Sequence, residues 1–254
     1  MPGAGGYAVL SAQPVVTLHV WTVPAPAAPS LLVRTAAWRA GRRTGFSKLL
    51  GTTRSARFGL RDTDLRRWAL LACWDDAGAA ARFEHSALAT AWQQAASQRW
   101  RALLRPLAVR GAWGRRDPFG DPGSPARLGA PGPAGSGEPG PGQFRGPVLV
   151  LTRARLRWLR ASAFWRAIPA VAGDLAGRPG LRFAFGIGEA PVGWQGTLSL
   201  WESTAAARGF AYAGPAHPAV IARSQDERWY AEQLFARFGV VAAAGTVDGR
   251  DPLR

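Results

Sequence analysis

Trp74-DDAGAAAR-Phe83 and Trp201-ESTAAARG-Phe210 are the two stretches on which the fold turns. Each opens with a tryptophan, runs through an acid and a set of alanines, and closes on a phenylalanine. They lie 127 residues apart. Working outward, the same doubling returns three more times in the same order. Pro14-VVTL is answered by Pro147-VLVL at 133, and Gly45-FSKLL-Gly51 by Gly180-LRFAF-Gly186 at 135. Gly111-AWGRR-Asp117-Pro118 is answered by Gly245-TVDGR-Asp251-Pro252 at 134. Offsets that drift by only a few residues are what a duplication with small loop changes leaves behind.

Between the copies, seventeen of the thirty residues 118–147 are Gly or Pro, a composition that sustains neither helix nor ladder. The organisation expected is a tail over 1–13, a first repeat over 14–117, a linker over 118–147 and a second repeat over 148–254. Each repeat reads as a β-rich segment (Val15-VTLHVWTV; Val148-LVLTRARL), then a helix (Leu31-LVRTAAW; Phe164-WRAIPAVAGDLA). A Gly-bounded strand and a strand ending in Trp come next, followed by an acid-started helix and a further helix. A short last strand falls near Leu107-AVRGAW and Val240-VAAAG, the further helix of the second half running from Pro218 toward Phe238. This is the β-α-β-β-α-β order of ferredoxin-like units. One such sheet leaves a face bare, and two cover each other. The sequence therefore predicts an α+β fold, tandem ferredoxin-like repeats forming a single-chain dimeric α+β barrel with pseudo-two-fold symmetry. Trp68-ALLACW is apolar on both parities, as burial on both faces requires. In its counterpart Gln195, Thr197 and Ser199 share one face, so the second half is expected to carry a polar-lined pocket.

The chain has 254 residues, a formal net charge of +16 and 47% hydrophobic residues, a globular composition. Thirty-one of its thirty-two basic residues are arginine, Lys48 being the exception. They are scattered singly or in pairs rather than in a basic block, so nucleic acid is not the expected partner. Attraction to an anionic membrane surface is as well supported. No apolar run has the length of a membrane span, and MPGAGGYAVLSAQP has no signal-peptide pattern. The expected location is cytoplasmic, with peripheral contact at the inner face of the membrane. A single cysteine, Cys73, excludes an intrachain disulfide and a cysteine-based zinc site.

No nucleotide-binding fingerprint, Walker A or GxSxG pattern is present. The only histidines are His19, His85 and His217, too few for a multi-histidine metal site, although a haem needs one axial imidazole. His217 sits in Gly214-Pro-Ala-His217-Pro218, where Pro218 suits a first helical turn and places His217 at the N-cap. The positive helix end keeps the ring neutral, available either as a cap or as a ligand. His19 lies on a strand between Thr17 and Trp21 and reads as core or ligand. Phe164, Trp165, Phe183, Phe185, Trp194 and Trp201 fall in elements facing the expected barrel. They serve either as packing or as an apolar slot for a large flat or elongated ligand.

Phe164-WRAIPAV, Gly180-LRFAFGIGE, Trp201-ES, Phe210-AYAGPAH, Trp229-YAEQLFARF and Asp248-GRDPL together resemble the spheroidene monooxygenase family, the bacterial acyclic carotenoid 2-ketolases. The likeness covers nearly all of the second half and is weaker in the first, through Gly45-FSKLLG and Trp68-ALLACW. It extends distantly to antibiotic-biosynthesis-type monooxygenases. A longer linker and Ser47, where a bulky aromatic is expected, depart from the family pattern. The resemblance implies oxygenation of an apolar polyene near its terminus, with O2 as co-substrate and an external electron donor. Two hydroxylations at one carbon would give a gem-diol that loses water to a ketone. It also implies haem, with His217 as axial ligand and Arg223, Arg228 and Arg237 pairing with propionates, while the six aromatics line the polyene channel. A cofactor-free oxygenase and a non-catalytic module for a hydrophobic ligand are the alternatives.

Overall fold

Eight strands and four α-helices form among the residues that this computed structural model describes, 15–41, 45–55, 62–120, 144–156, 175, 177–189, 194–213 and 230–254. The first half runs β1 (Val15–Thr22), α1 (Ala28–Ala40), β2 (Phe46–Thr53), β3 (Thr63–Trp74), α2 (Ala77–Glu84), α3 (Ala87–Ala95) and β4 (Gln98–Gly111). The second runs β5 (Val148–Leu156), β6 (Leu181–Gly188), β7 (Trp194–Trp201), α4 (Thr204–Ala213) and β8 (Tyr230–Gly245). The helix predicted from Phe164 lies, but for Leu175, outside the described residues. Among the described residues no helix is long and apolar enough to cross a membrane.

The strands close into an antiparallel barrel in the order β1-β3-β2-β6-β7-β5-β8-β4. Within each half this is fourth, first, third, second, the ferredoxin-like sheet. The register repeats with the chain. Val15 faces Trp74 and His19 faces Leu70 in the first half; Val148 faces Trp201 and Thr152 faces Thr197 in the second. Helix caps repeat too. Asp76 accepts from the amide of Ala79 at 2.6 Å, and Ser203 from that of Ala206 at 3.1 Å, each satisfying a first-turn donor.

The seams between the halves differ. β4 and β8 pair from Trp100↔Gly245 to Gly111↔Leu234, whereas β2 and β6 share Gly51↔Gly188 and Thr52↔Ile187. The tight seam depends on two equivalent glycines. Gly111 and Gly245 have φ of 91° and 101°, and a Cβ on either would lie 2.0 Å from a carbonyl oxygen of the facing strand. Only glycine combines that φ with that approach. Beyond each glycine the chain makes the same hairpin, with bridges Trp113↔Arg116 and Val247↔Arg250. Glu232 accepts from the amides of Gly114 and Arg115, as Gln98 accepts from that of Gly249. Phe119 then plugs the barrel, 2% exposed, so ordered packing reaches past Asp117 into the stretch read as linker.

Strand alternation sorts the core into three parts. Inward residues such as Leu18, Leu71, Leu104, Leu151, Phe185, Leu198 and Phe238 fill the barrel. On the outer face of the first sheet, Trp21, Trp68, Trp74, Phe83 and Trp92 pack under α1–α3. On the outer face of the second, a smaller cluster gathers around Val148, Leu175, Trp201 and Ala207. Every residue from Trp68 to Trp74 is buried, as the double parity predicts.

One expectation is corrected. The segment predicted to continue a helix from Pro218 to Phe238 is strand from Tyr230 onward, sixteen residues of β8. Leu234, Ala236, Phe238 and Val240 alternate into the barrel, and the interleaved Phe235 and Arg237 lie on the other parity, so the period is two. β4 likewise begins at Gln98, well before the short strand expected near Leu107.

Candidate functional site

Equal register makes the outer faces of the two sheets comparable row by row. In the first half one row across the strands is Arg101, His19, Leu70, Leu49. The same row in the second half is Phe235, Thr152, Thr197, Gly186. Beside it, Trp21 of the first half is answered by Ala154.

The first row is sealed. His19 is 2% exposed, stacked on Trp21 at 5.2 Å between ring centroids and edge-on to Phe83 at 5.3 Å. Trp21 in turn stacks on Trp92 at 5.0 Å. From the end of α2, Glu84 brings Oε1 to 3.5 Å from His19 Nε2, and Arg101 Nη1 lies 3.2 Å from the same oxygen. Neither His19 Nε2 nor Glu84 Oε1 is aligned for a hydrogen bond. Burial, reinforced by the Arg101 charge, drives the His19 imidazole down to a pKa of about 3, so it is neutral. Burial pushes the Glu84 carboxyl up against the pull of Arg101.

The second row is open at its β8 and β5 end, while Gly186 at its other end is buried. Thr152 is exposed, Thr197 is half-buried, and Phe235 is 38% exposed in a protein whose other large aromatics are mostly packed away. The hydroxyls of Thr152 and Thr197 hydrogen-bond to each other. One row along, Ser199 Oγ accepts from Trp201 Nε1 at 2.9 Å, matching the bond from Trp74 Nε1 to Thr17 Oγ1. Trp201 stacks on Phe210 of α4 at 5.5 Å. Helix α4 therefore packs at the Trp201 end of the sheet, away from the threonines.

Buried charge sits inside the barrel near its ends, away from this face. Arg67 donates to both carboxylate oxygens of Asp248 at 3.1 Å and to Thr53 O, its guanidinium 4.8 Å from the Phe185 ring. Arg153 donates to Glu189 and Glu232 and lies 4.8 Å from the Trp113 ring; Lys48 Nζ reaches Glu189 at 2.9 Å. Burial pushes the Glu232 carboxyl up, but the amides of Arg115 and Gly114 and the Arg153 guanidinium outweigh it and hold it at about 2. Arg67–Asp248 and Lys48–Glu189 bind the halves together, while Arg153 ties β5 to Glu189 and β8 within the second.

The residues singled out in the sequence are distributed as follows. His217, Arg223, Arg228, Phe164 and Trp165 lie outside the described residues. Phe183 and Phe185 point into the barrel, stacked on each other at 5.3 Å. Trp201 lies on the opposite, outer face, fully buried. Trp194 opens β7, its side chain outside the described set. Arg237 stands on β8 between Ala108 and Val150, one row from the threonine pair. Thr197 and Ser199 fall on the outer face, as their parity predicts. Thr152 and Phe235 complete the row; Phe235 falls in the Trp229-YAEQLFARF stretch read from the sequence as a helix, and Thr152 was not singled out. The signal for Thr152 was the repeat itself, since the offset of 133 carries His19 onto it. Among the described residues no three His, Cys, Asp or Glu side chains gather in a group suited to a metal ion.

A spheroidene monooxygenase of Rhodobacter capsulatus is 32% identical over 212 residues, spanning 83% of this chain and 81% of that protein. One of Rubrivivax gelatinosus is 33% identical over 205 residues, 81% of this chain and 72% of that protein. No family profile matches. Among solved structures, aldoxime dehydratase superposes with a TM-score of 0.56 at 13% identity, covering 90% of this chain and 82% of that one. Its complex with butyraldoxime gives 0.58 at 13% identity, over 90% and 80%. At such identity these two establish the shared barrel.

Proposed function

The chain belongs to the spheroidene monooxygenase family, and on that premise we propose that it oxygenates an acyclic carotenoid-like polyene, using haem and O2, at the outer face of its second sheet. The observation that carries the location is the contrast between the rows: His19 and Leu70 are buried at the middle of the first, while in the second Phe235 and Thr152 are exposed and Thr197 is half-buried.

The second face would hold a flat prosthetic group with the end of the polyene lying between that group and the threonine pair. Between Phe235 and β6 nothing larger than threonine rises from the row, and Ala154 and Ala184 flank it. The first face does not fit, because the His19 imidazole is enclosed by Trp21 and Phe83. His217 is the residue proposed to hold the haem iron. Arg237, together with Arg223 and Arg228, is proposed to pair with the propionates. Haem, when bound, supplies the oxidising power for hydroxylating an unactivated carbon. The chain's own part is to bind and orient. Phe235 offers a flat apolar surface to the polyene, and Trp201 backs the floor by holding Ser199 in place. Phe183, Phe185, Trp194, Phe164 and Trp165 are the further aromatic candidates along the channel.

Each hydroxylation consumes one O2, two electrons and two protons and releases one water. A second at the same carbon gives a gem-diol, which loses water to the ketone. The electrons come from an external donor. The arginine excess, in a net charge of +16, favours peripheral contact with the inner, anionic face of the membrane where such a substrate dissolves.

The test is the visible spectrum of protein purified with haem supplied, beside His217→Ala. A Soret band that is lost or shifted in the variant is expected. An unchanged band moves the ligand elsewhere, and a folded protein without a Soret band overturns the haem assignment.

A further inference from the structure

Three hydroxyls stand on the accessible face of the second sheet, and the fold does not ask for them. At the equivalent of Thr152 the first half carries His19, and at that of Thr197 it carries Leu70, on the same backbone in the same register. Valine would suit a strand at least as well as threonine and has the same shape. The hydroxyls need another account.

Their hydrogen-bond inventory is incomplete. Two threonine hydroxyls carry two protons between them, and the mutual bond uses one. The other remains available, at a position where Thr152 is exposed. Ser199 accepts from Trp201 and holds its own proton in reserve, but at 6% exposure it is set deeper. The accessible donor of this face is thus the threonine pair, flanked by Phe235, Ala154 and Gly186. An acyclic hydrocarbon polyene has nothing to offer such a donor. The first polar group the ligand acquires is the hydroxyl that the first oxygenation installs.

Resting on the functional reading above, we infer that the Thr152–Thr197 hydroxyl pair binds the oxygen of the monohydroxylated polyene and holds it for the second hydroxylation. The pair donates its spare proton to the alcohol oxygen, and a threonine lone pair accepts the alcohol proton. The same carbon stays in place while a second O2 and two more electrons arrive. In the hydrocarbon complex the pair keeps its mutual bond, and its second proton finds no acceptor on the ligand. These are positioning residues that decide whether the product leaves as alcohol or as ketone.

The experiment compares wild type, Thr152→Val, Thr197→Val and Thr152→Ser, all loaded with haem. Equilibrium binding is measured for an acyclic polyene hydrocarbon and for its mono-alcohol, and the alcohol-to-ketone ratio is measured in cells accumulating the hydrocarbon. Each valine variant is expected to bind the alcohol about three- to tenfold more weakly, the loss of one hydrogen bond. It should bind the hydrocarbon as wild type does, and should release more alcohol. Thr152→Ser, which keeps the hydroxyl, should restore both. Thermal melting of the apoproteins checks that the isosteric variants fold. Equal changes for both ligands, or no change for either, overturn the inference while wild-type turnover leaves the family reading standing. Wild type that binds neither polyene overturns both.

Discussion

The outer faces of the two sheets share strand order, register and helix caps, yet one is a packed core and the other an accessible floor. Against the first lie α1–α3, and its rows carry Trp21, Trp68, His19 and Leu70. Against the same positions of the second stand Ala154, Thr152 and Thr197. The pairing of β1 with β3 and of β5 with β7 is the same in the two, and on that shared ladder it is side-chain volume that differs. Duplication supplied two equivalent shells around one barrel. The aromatics of the first went to stability, while among the described residues of the second Thr152 and Phe235 stay exposed. The buried ion pairs at the barrel ends let the halves diverge in this way, since they join the repeats without using either outer face.

The contrast breaks most visibly at Trp92. It is wholly buried, stacked on Trp21, and donates Nε1–H to Thr35 Oγ1 at 2.9 Å. Trp92→Ala should cost about 3–5 kcal/mol, through lost burial and the cavity left behind. Urea unfolding with an unchanged slope is the measurement. A loss below about 1 kcal/mol would mean that the first shell is as loose as the second.

His19 gives the next largest effect, and its sign follows from burial. The imidazole titrates near 6.5 when unfolded but only at about 3 when folded. As pH falls below 6.5 the unfolded chain takes up a proton that the native one refuses. Native stability then declines by about 1.4 kcal/mol per pH unit until the folded pKa is approached. Glu84 acts in the opposite sense, because its carboxyl is raised: the native state takes that proton first and gains stability as pH falls through the raised value. His19→Leu removes the first contribution, so its unfolding free energy should fall less steeply than wild type between pH 6.5 and pH 4.5. Identical slopes would show that the imidazole is not sealed.

The repeat offsets make much of this legible in the sequence. Adding 133 to a β1 residue and 127 to a β3 residue converts the strand pairs of one half into those of the other, Val15–Trp74 into Val148–Trp201 and Thr17–Ala72 into Val150–Ser199. β8 escapes because its aromatics and charges, Tyr230, Glu232, Phe235 and Arg237, can be fitted to a helical face. At sixteen residues it also far exceeds an ordinary strand. Its neighbours sustain it: Phe235 is flanked by Thr152 of β5 and Arg110 of β4. Thr197 and Ser199 are legible from parity alone, since one strand suffices. Thr152 and Phe235 join them only through register between strands far apart in sequence. Arg67 and Asp248, separated by 181 residues, leave no local trace at all.

Phe235 sharpens the contrast with the smallest effect on stability. Its ring is 38% exposed on the outer parity of β8, whereas its neighbours Leu234 and Ala236 point into the barrel and are fully buried. A ring so placed still removes more than half of its area from water, but it leaves no closed cavity when truncated. Phe235→Ala should therefore cost about 1–2 kcal/mol, well below Trp92→Ala. If the ring serves the polyene instead, the same variant should weaken binding of the hydrocarbon and the alcohol alike, since flat apolar contact does not distinguish them. That pattern separates Phe235 from the threonines beside it, whose loss should be felt by the alcohol alone. Together the variants divide one row of the sheet into an apolar contact and a polar one. A Phe235→Ala protein that is strongly destabilised but binds normally would return the residue to the core and make the second face a shell like the first.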